Sequence, residues 1–299
     1  MIYNLIYDTS DFLNYIIIYK LTGKKYFVMK IEKLGSLHGN NIIWRYMSLE
    51  KFIDLILNRS IYFANARKME DKFEMEIPIN SLDERRRDYL ERGKSSISVK
   101  STMEKEVSVA KRFKENTYVN CWSLNNAESY ALWKIYLGGS INGVAIKSTV
   151  SKLIHCLETI DKKAELTSEI IPESIEMNIP LLQIDRLKIG EVSYKNHIER
   201  SNFTKTNLAI TKKEFYEYEK EIRVFGTSNN QYFSESPEEY DLSISDGFHV
   251  GIDIDELIDS IVISPYSPLW FKHNLKVLIT KLNSSLIDKV SDSEIMINS

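Results

Sequence analysis

Glu219, Glu221 and Arg223 stand two apart in the run Tyr216-Glu217-Tyr218-Glu219-Lys220-Glu221-Ile222-Arg223-Val224-Phe225. In an extended chain successive side chains alternate faces, so this spacing puts Glu219, Glu221, Arg223 and Phe225 on one side. Tyr218, Lys220, Ile222 and Val224 fall on the other. Such a face is either the wet side of a sheet or the lining of a cleft, where carboxylates stabilise developing positive charge. Arg45 is the second charged candidate, set in the otherwise apolar run Ile42-Ile43-Trp44-Arg45-Tyr46-Met47. A buried guanidinium needs a counter-charge or an anionic ligand, and Asp71 and Glu74 are its structural alternatives. Together, Asp71, Glu74, Glu219 and Glu221 are also enough carboxylates to gather a hard divalent cation, as in a metal-dependent nuclease. The five histidines are isolated in sequence, which disfavours a histidine-based metal site, and Cys121 has no neighbouring histidine to make it a nucleophile.

The elements that must carry these residues read as follows. Residues 1–41 form an N-terminal extension, with a hairpin expected from Tyr15–Tyr19 and Tyr26–Met29 around Gly23, and a loop from Gly35 to Asn41. Ile42–Met47 reads as a strand, Ser48 as the N-cap of a helix with Leu49, Phe52, Ile53 and Ile56 at helical spacing, and Ile61–Ala64 as the returning strand. A mostly helical insertion spans about 80–116. Tyr118–Ser123 is a strand, Ala127–Leu137 a helix opened by Asn125-Asn126 and closed by Gly138-Gly139, and Val144–Ile146 the next strand. A helix is expected around Leu153–Lys162, then a connector with Pro172 and Pro180, a strand at Gly190–Tyr194 and a helix over Phe203–Phe215. A strand at Ile261–Ile263, a helix over Pro268–Asn283 and a polar, frayed tail from Ser285 complete the chain. The fold class is α+β, with a mixed, mainly antiparallel sheet, flanking helices and one domain over 42–284.

Composition sets the outer limits. In 299 residues, 43% hydrophobic and 27% charged side chains describe a globular chain with a sizeable core. A net charge of -3 argues against a surface devoted to nucleic acid or membrane. The segment from Arg85 to Lys114 is locally basic and is the one stretch that could track phosphates. Two cysteines make no disulfide framework, and the apolar run Phe12–Leu21 is too short and too interrupted to span a bilayer, so a cytoplasmic location is expected.

Several of these residues carry a resemblance. Arg45-Tyr46 with the helix after it, Tyr62-Phe63-Ala64-Asn65, and then Asp71, Phe73 and Glu74 resemble a bacterial family of unknown function from phage-defence and abortive-infection loci, the AbiGi-like group. Ala66, Glu70 and Lys72 depart from its Asn-Pro and Asn-Asp-Pro-Phe-Glu pattern. The likeness continues through Cys121, Ser123, Trp133, Tyr136, Gly143 and Val144. Lys213, Tyr216 in place of a tryptophan, and Glu219-x-Glu221-x-Arg223 extend it further. It covers about 42–282 and implies a defence effector, with a protein partner from the same operon as one expectation and a non-enzymatic sensor as an alternative.

The order arginine, serine, Glu-x-Glu is similar to the layout of ADP-ribosyltransferases. That resemblance implies a fold of that type with NAD bound. Arg45 would hold a phosphate of the dinucleotide, Ser123 brace the site, Glu221 act as the catalytic glutamate and Glu219 orient the acceptor. Tyr46, Asn65, Trp133 and Tyr136 would line the cofactor. A fixed guanidinium suits a diphosphate. The geometric expectation is that Glu219 or Glu221 lies close to Arg45 in one cleft.

Overall fold

The computed structural model describes residues 30–71, 74–159, 184, 186–196, 204–228 and 246–296. The expected N-terminal hairpin, Lys72, Phe73 and the connector with Pro172 and Pro180 lie outside the described residues.

At the centre runs β4 (Thr117–Leu124), preceded in sequence by β1 (Lys30–Leu34), β2 (Ile42–Ser48) and β3 (Ser60–Asn65). Their β-branched and aromatic residues suit a pleated surface packed on both sides. β5 (Gly143–Thr149), β6 (Arg186–Glu191), β9 (Glu221–Thr227), β10 (Gly247–Gly251), β11 (Ser260–Ile263) and β12 (Val290–Asp292) complete the main sheet. The order is β1-β6-β9-β4-β2-β5-β11-β12, with β3 joined to both β4 and β10. β1 with β6 and β11 with β12 are parallel and the other pairs antiparallel, so the sheet is mixed and mainly antiparallel. A separate parallel pair, β7 (Ser193–Lys195) and β8 (Thr211–Lys213), lies beside β9.

The helices are α1 (Leu49–Leu57), α2 (Ile79–Glu91), α3 (Ser96–Glu115), α4 (Tyr130–Leu137), α5 (Val150–Glu158), α6 (Lys205–Ala209), α7 (Ile254–Leu257) and α8 (Leu269–Leu282). α2 and α3 are the expected helical insertion. Among the described residues no helix is long and apolar enough to cross a membrane.

Register fixes what each face carries. β4 and β9 pair Val119 with Phe225, Cys121 with Arg223 and Ser123 with Glu221, while β2 pairs Trp44 with Ser123. Residues directly opposite share a face, so these side chains form one row. The other face holds Ile43, Met47, Trp122, Ile146, Ile222 and Val224, buried against Phe52 of α1, Leu153 of α5 and Phe271, Leu275 and Ile279 of α8. Each such side chain contributes roughly 1.5–3 kcal/mol on burial. On the first face the core is split in two. Val119 and Phe225 pack with Phe113 of α3 and Leu208 of α6 at one end, and Trp44 and Tyr46 pack with Leu132, Trp133 and Leu137 of α4 at the other. The charged pairs lie in the seam between these clusters.

Several elements differ from the expectations. The expected helix over Phe203–Phe215 is α6, then β8, then a 3-10 helix at Glu214–Glu219. Pairing of Thr211–Lys213 with Ser193–Lys195 overrides local helical preference there. Lys220 has a positive φ of 43°, and this break means Glu219 precedes the strand that bears Glu221 and Arg223. α4 begins at Tyr130 because Ser129, and not Asn125-Asn126, caps it through the Leu132 N–H. Helix α5 starts three residues early, its cap being Thr149. Where a frayed tail was expected, Ser284–Lys289 forms a 3-10 helix that buries Leu286, and β12 pairs with β11.

Candidate functional site

Arg223 is fully buried, and every nitrogen of its fork is spoken for. Nε donates to Glu221 Oε1 at 2.7 Å and Nη2 to Glu221 Oε2 at 2.9 Å, a two-pronged bond between neighbours on one strand face. Nη2 also donates to Glu74 Oε1, and Nη1 to the Ala209 carbonyl at 2.9 Å. Glu74 arrives from the turn after the 3-10 helix at Ala66–Lys68, where its N–H donates to the Asp71 carbonyl and the following Met75 has a φ of 62°. Burial draws the Arg223 guanidinium down to about 9 against the opposing charge of Asp71, so it remains a cation at neutral pH.

Lys212 supplies the second cation. Its Nζ lies 2.7 Å from Glu219 Oε2, 3.4 Å from Glu221 Oε2 and 3.8 Å from Glu74 Oε1, and 4.7 Å from the centre of the Tyr216 ring. Burial opposes the ammonium, but Glu221 and Glu219 outweigh that and hold its proton more tightly than in water. Its cross-strand partner Tyr194 accepts the Glu221 N–H at 2.7 Å. The Ser123 hydroxyl donates to the Glu219 carbonyl at 2.7 Å and accepts from the Asn125 amide at 2.6 Å, so it braces the turn at Lys220.

Three carboxylates and two cations leave this interior network one negative charge in excess. Burial pushes Glu221 up to about 6, even with Lys212 and the Cys121 thiol pulling the other way. Burial, followed by the charge of Glu221, pushes Cys121 well above its ordinary range, so the thiol is an inert donor. Tyr136 and Tyr194 are pushed up by burial and by the same carboxylates and stay protonated.

Arg45 stands apart from this network. β2 and β4 are paired only at Ile43 with Leu124 and Trp44 with Ser123, while the start of β4 is paired to β3, so the sheet forks just where Arg45 sits. By alternation Arg45 belongs to the face opposite Glu221. Its guanidinium lies 5.8 Å from the centre of the Trp122 ring. Among the described residues it has no hydrogen bond or ion pair. Burial lowers its affinity for the proton, offset by Cys121 and Tyr136, so its charge is felt across the fork at the edge of the glutamate network.

The sequence-derived site residues therefore divide. Ser123, Glu219, Glu221, Arg223 and Glu74 converge. Asp71 acts on Arg223 and on Tyr216 through its charge. The expected direct approach of Glu219 or Glu221 to Arg45 is replaced by their pairing with Lys212 and Arg223, and Glu74 serves Arg223 instead of Arg45. Of the ring and amide residues expected to line a cofactor, three are interior. Tyr46 is buried, its hydroxyl taken by the Ser129 N–H. Trp133 is fully buried edge-on to Tyr46, its N–H donated to Glu128. Asn65 is fully buried, capping Arg67 and donating to the Glu115 carbonyl. Each is held by packing that leaves no face to a ligand. Tyr136 stacks on Tyr46 at 6.3 Å with 45% of its surface exposed, and it alone of the four can meet one. Lys212 and Tyr194 are the site residues that sequence reasoning missed. The lysine singled out by resemblance, Lys213, is one residue off and points the other way on its strand.

A concavity of about 500 Å³ lies elsewhere, between α2 and α3. Among the described residues no group of three or more His, Cys, Asp or Glu side chains is arranged to hold a metal ion. Compared with models of known families, with curated proteins and with solved structures, the chain matches none.

Proposed function

We propose that this chain is an ADP-ribosyltransferase-like effector of a bacterial anti-phage or toxin type, using NAD to modify nucleic acid or protein. The observation that carries the reading is Arg45: a part-buried guanidinium without an acidic partner among the described residues, placed where the sheet forks, on the face opposite Glu221 but within electrical reach of the Cys121 and Tyr136 groups that border it. A cation kept in that condition suits a diphosphate, which repays its desolvation with charge-assisted bonds. Glu221, with its midpoint at about 6, is mostly ionised at neutral pH and suits stabilisation of the positive charge that grows on a ribose as nicotinamide departs. Ser123 braces the Glu219 turn, as the transferase order implies. The defence role rests on the resemblance of the motifs around Arg45, Glu74, Trp133 and Glu219.

A metal-dependent nuclease is the second reading, although among the described residues Glu74, Glu219 and Glu221 are not arranged to hold a metal ion. In that reading a divalent cation would have to displace the Lys212 ammonium from the point the three share. A non-enzymatic sensor, in which the ion pairs only hold the interior together, is the third. One experiment separates them: purified protein incubated with labelled NAD, and with nucleic acid, with and without Mg²⁺. Nicotinamide release and label transfer that vanish in Glu221→Gln and Arg45→Ala are expected. Metal-dependent strand cleavage without NAD turnover would overturn the reading in favour of the nuclease, and no reaction with either substrate in favour of the sensor.

A further inference from the structure

We infer that Lys212 is the positioning residue of this site, holding Glu219 and Glu221 together and keeping Glu221 ionised, an assignment that rests on the transferase reading for its catalytic meaning. The geometry is specific. Arg223 grips both oxygens of Glu221 from within its own strand but does not reach Glu219. Lys212 bridges the two glutamates, at 2.7 and 3.4 Å, across the turn at Lys220. It does so from a different element, the two-stranded sheet of β7 and β8, whose register places Tyr194 beside it with its hydroxyl on the Glu221 N–H. One small sheet thus grips the glutamates by a side chain and by the backbone at once.

The groups that face Lys212 from the surrounding elements are Glu74 before α2, Cys121 on β4, Tyr136 on α4, Tyr194 on β7, Tyr216 and Glu219 on the 3-10 helix, and Glu221 on β9. Glu74 and Glu221 are also held by Arg223, whereas among the described residues Glu219 has no such second cation. Removing Lys212 leaves three carboxylates with one guanidinium, two negative charges in excess inside the fold. Taking up a proton is the least costly response, and Glu221, already raised by burial with Lys212 holding it back, is placed to do so. The site would then keep its shape yet lose the negative charge its chemistry requires.

The test uses the full chain with ¹³C-labelled glutamate carboxylates, the Glu221 signal being identified by its loss in Glu221→Gln. In the wild type it titrates with a midpoint near 6. In Lys212→Met the midpoint is expected at least about one pH unit higher, and Lys212→Arg is expected to restore it. Lys212→Gln, which keeps a donor without the charge, carries the same titration if the methionine variant does not fold. A midpoint that stays put in the neutral variant overturns the assignment. Turnover of NAD adds a second reading. A midpoint of 7 brings the ionised fraction at neutral pH to about half, the next unit lowers it about fivefold more, and each unit beyond that about tenfold. The rate constant should fall accordingly with KM unchanged, and recover in alkaline buffer. A rate lost equally at all pH values would mark Lys212 as merely structural and would overturn the assignment. If the wild type releases no nicotinamide, the transferase reading fails, while the titration still decides whether Lys212 governs Glu221.

Discussion

Replacing Arg223 by methionine gives the sharpest test of the interior network. The substitution roughly preserves the apolar stem but removes three bonds to carboxylates and one to the Ala209 carbonyl. Glu74 and Glu221, both about 4% exposed, would then share Lys212 as their only cation among the described residues. Breaking a buried pair from one side costs about 3–5 kcal/mol. With a urea dependence of roughly 3 kcal/mol per molar, the unfolding midpoint should fall by about 1–2 M. The sign of the pH dependence is equally specific. The stranded carboxylates are raised above their unfolded values, so the folded state binds more protons and the variant gains stability as pH falls from 7 towards 5. Removing both partners, as in R223M with E221M, should cost less than the two single losses added together. Urea unfolding of the four proteins at pH 7 and pH 5 measures all of this. A loss under about 1 kcal/mol for R223M, with no recovery at pH 5, would refute the view that Arg223 carries an internal charge network.

Other outcomes follow from single contacts. Because Glu221 is raised from its ordinary carboxylate value of 4.5 to about 6, it binds a proton more readily folded than unfolded, and its stabilising contribution is lost as pH rises through that window. In the wild type this amounts to about 2 kcal/mol, visible as the pH-dependent part of the unfolding difference from Glu221→Gln between pH 4 and 7. Arg45→Met should leave the thermal midpoint unchanged or raised, since no ion pair is lost, while abolishing protection by NAD in the same melt. Gly138, at a φ of 56°, ends α4, and Gly138→Ala should cost about 1 kcal/mol by chemical denaturation. Leu286→Ala should cost about 2–5 kcal/mol, because the segment that follows α8 is packed and not frayed.

How much of this could be read from the sequence depends on how far apart the partners lie. β2, β4, β5 and β11 are runs of β-branched and aromatic residues, and α1 and α8 have apolar stripes at helical spacing, so local pattern sufficed. Glu221 and Arg223 were legible as neighbours on one face because strand alternation needs only a spacing of two. Glu219 was assigned to the same strand, yet it reaches the same place from a 3-10 helix through the left-handed turn at Lys220. Lys212 was illegible because β8 is a strand only through its pairing with β7, which no local pattern announces. The expected meeting of Arg45 with the glutamates failed for a related reason. Sequence order set them on neighbouring strands, but it did not show that β2 and β4 separate after two pairs. Tyr46 and Trp133 were expected to line a cofactor, but their polar atoms have interior partners in Ser129 and Glu128 that only tertiary contacts reveal.

The charged seam between the two apolar clusters also bears on how the chain finds its pairing. A one-residue slip of β9 against β4 would turn Glu221 and Arg223 into the face lined by Ile43, Ile146 and Phe52 and put Ile222 and Val224 beside Lys212, Glu74 and Glu219. Aliphatic rows alone tolerate such slips, since one branched side chain replaces another at modest cost. An Arg223–Glu221 pair carried among them would keep its own two bonds but lose Glu74, Lys212 and the Ala209 carbonyl, at a penalty of several kcal/mol. The ion pairs therefore act as a proofreading device for strand alignment, setting misregistered sheets above the native one in free energy.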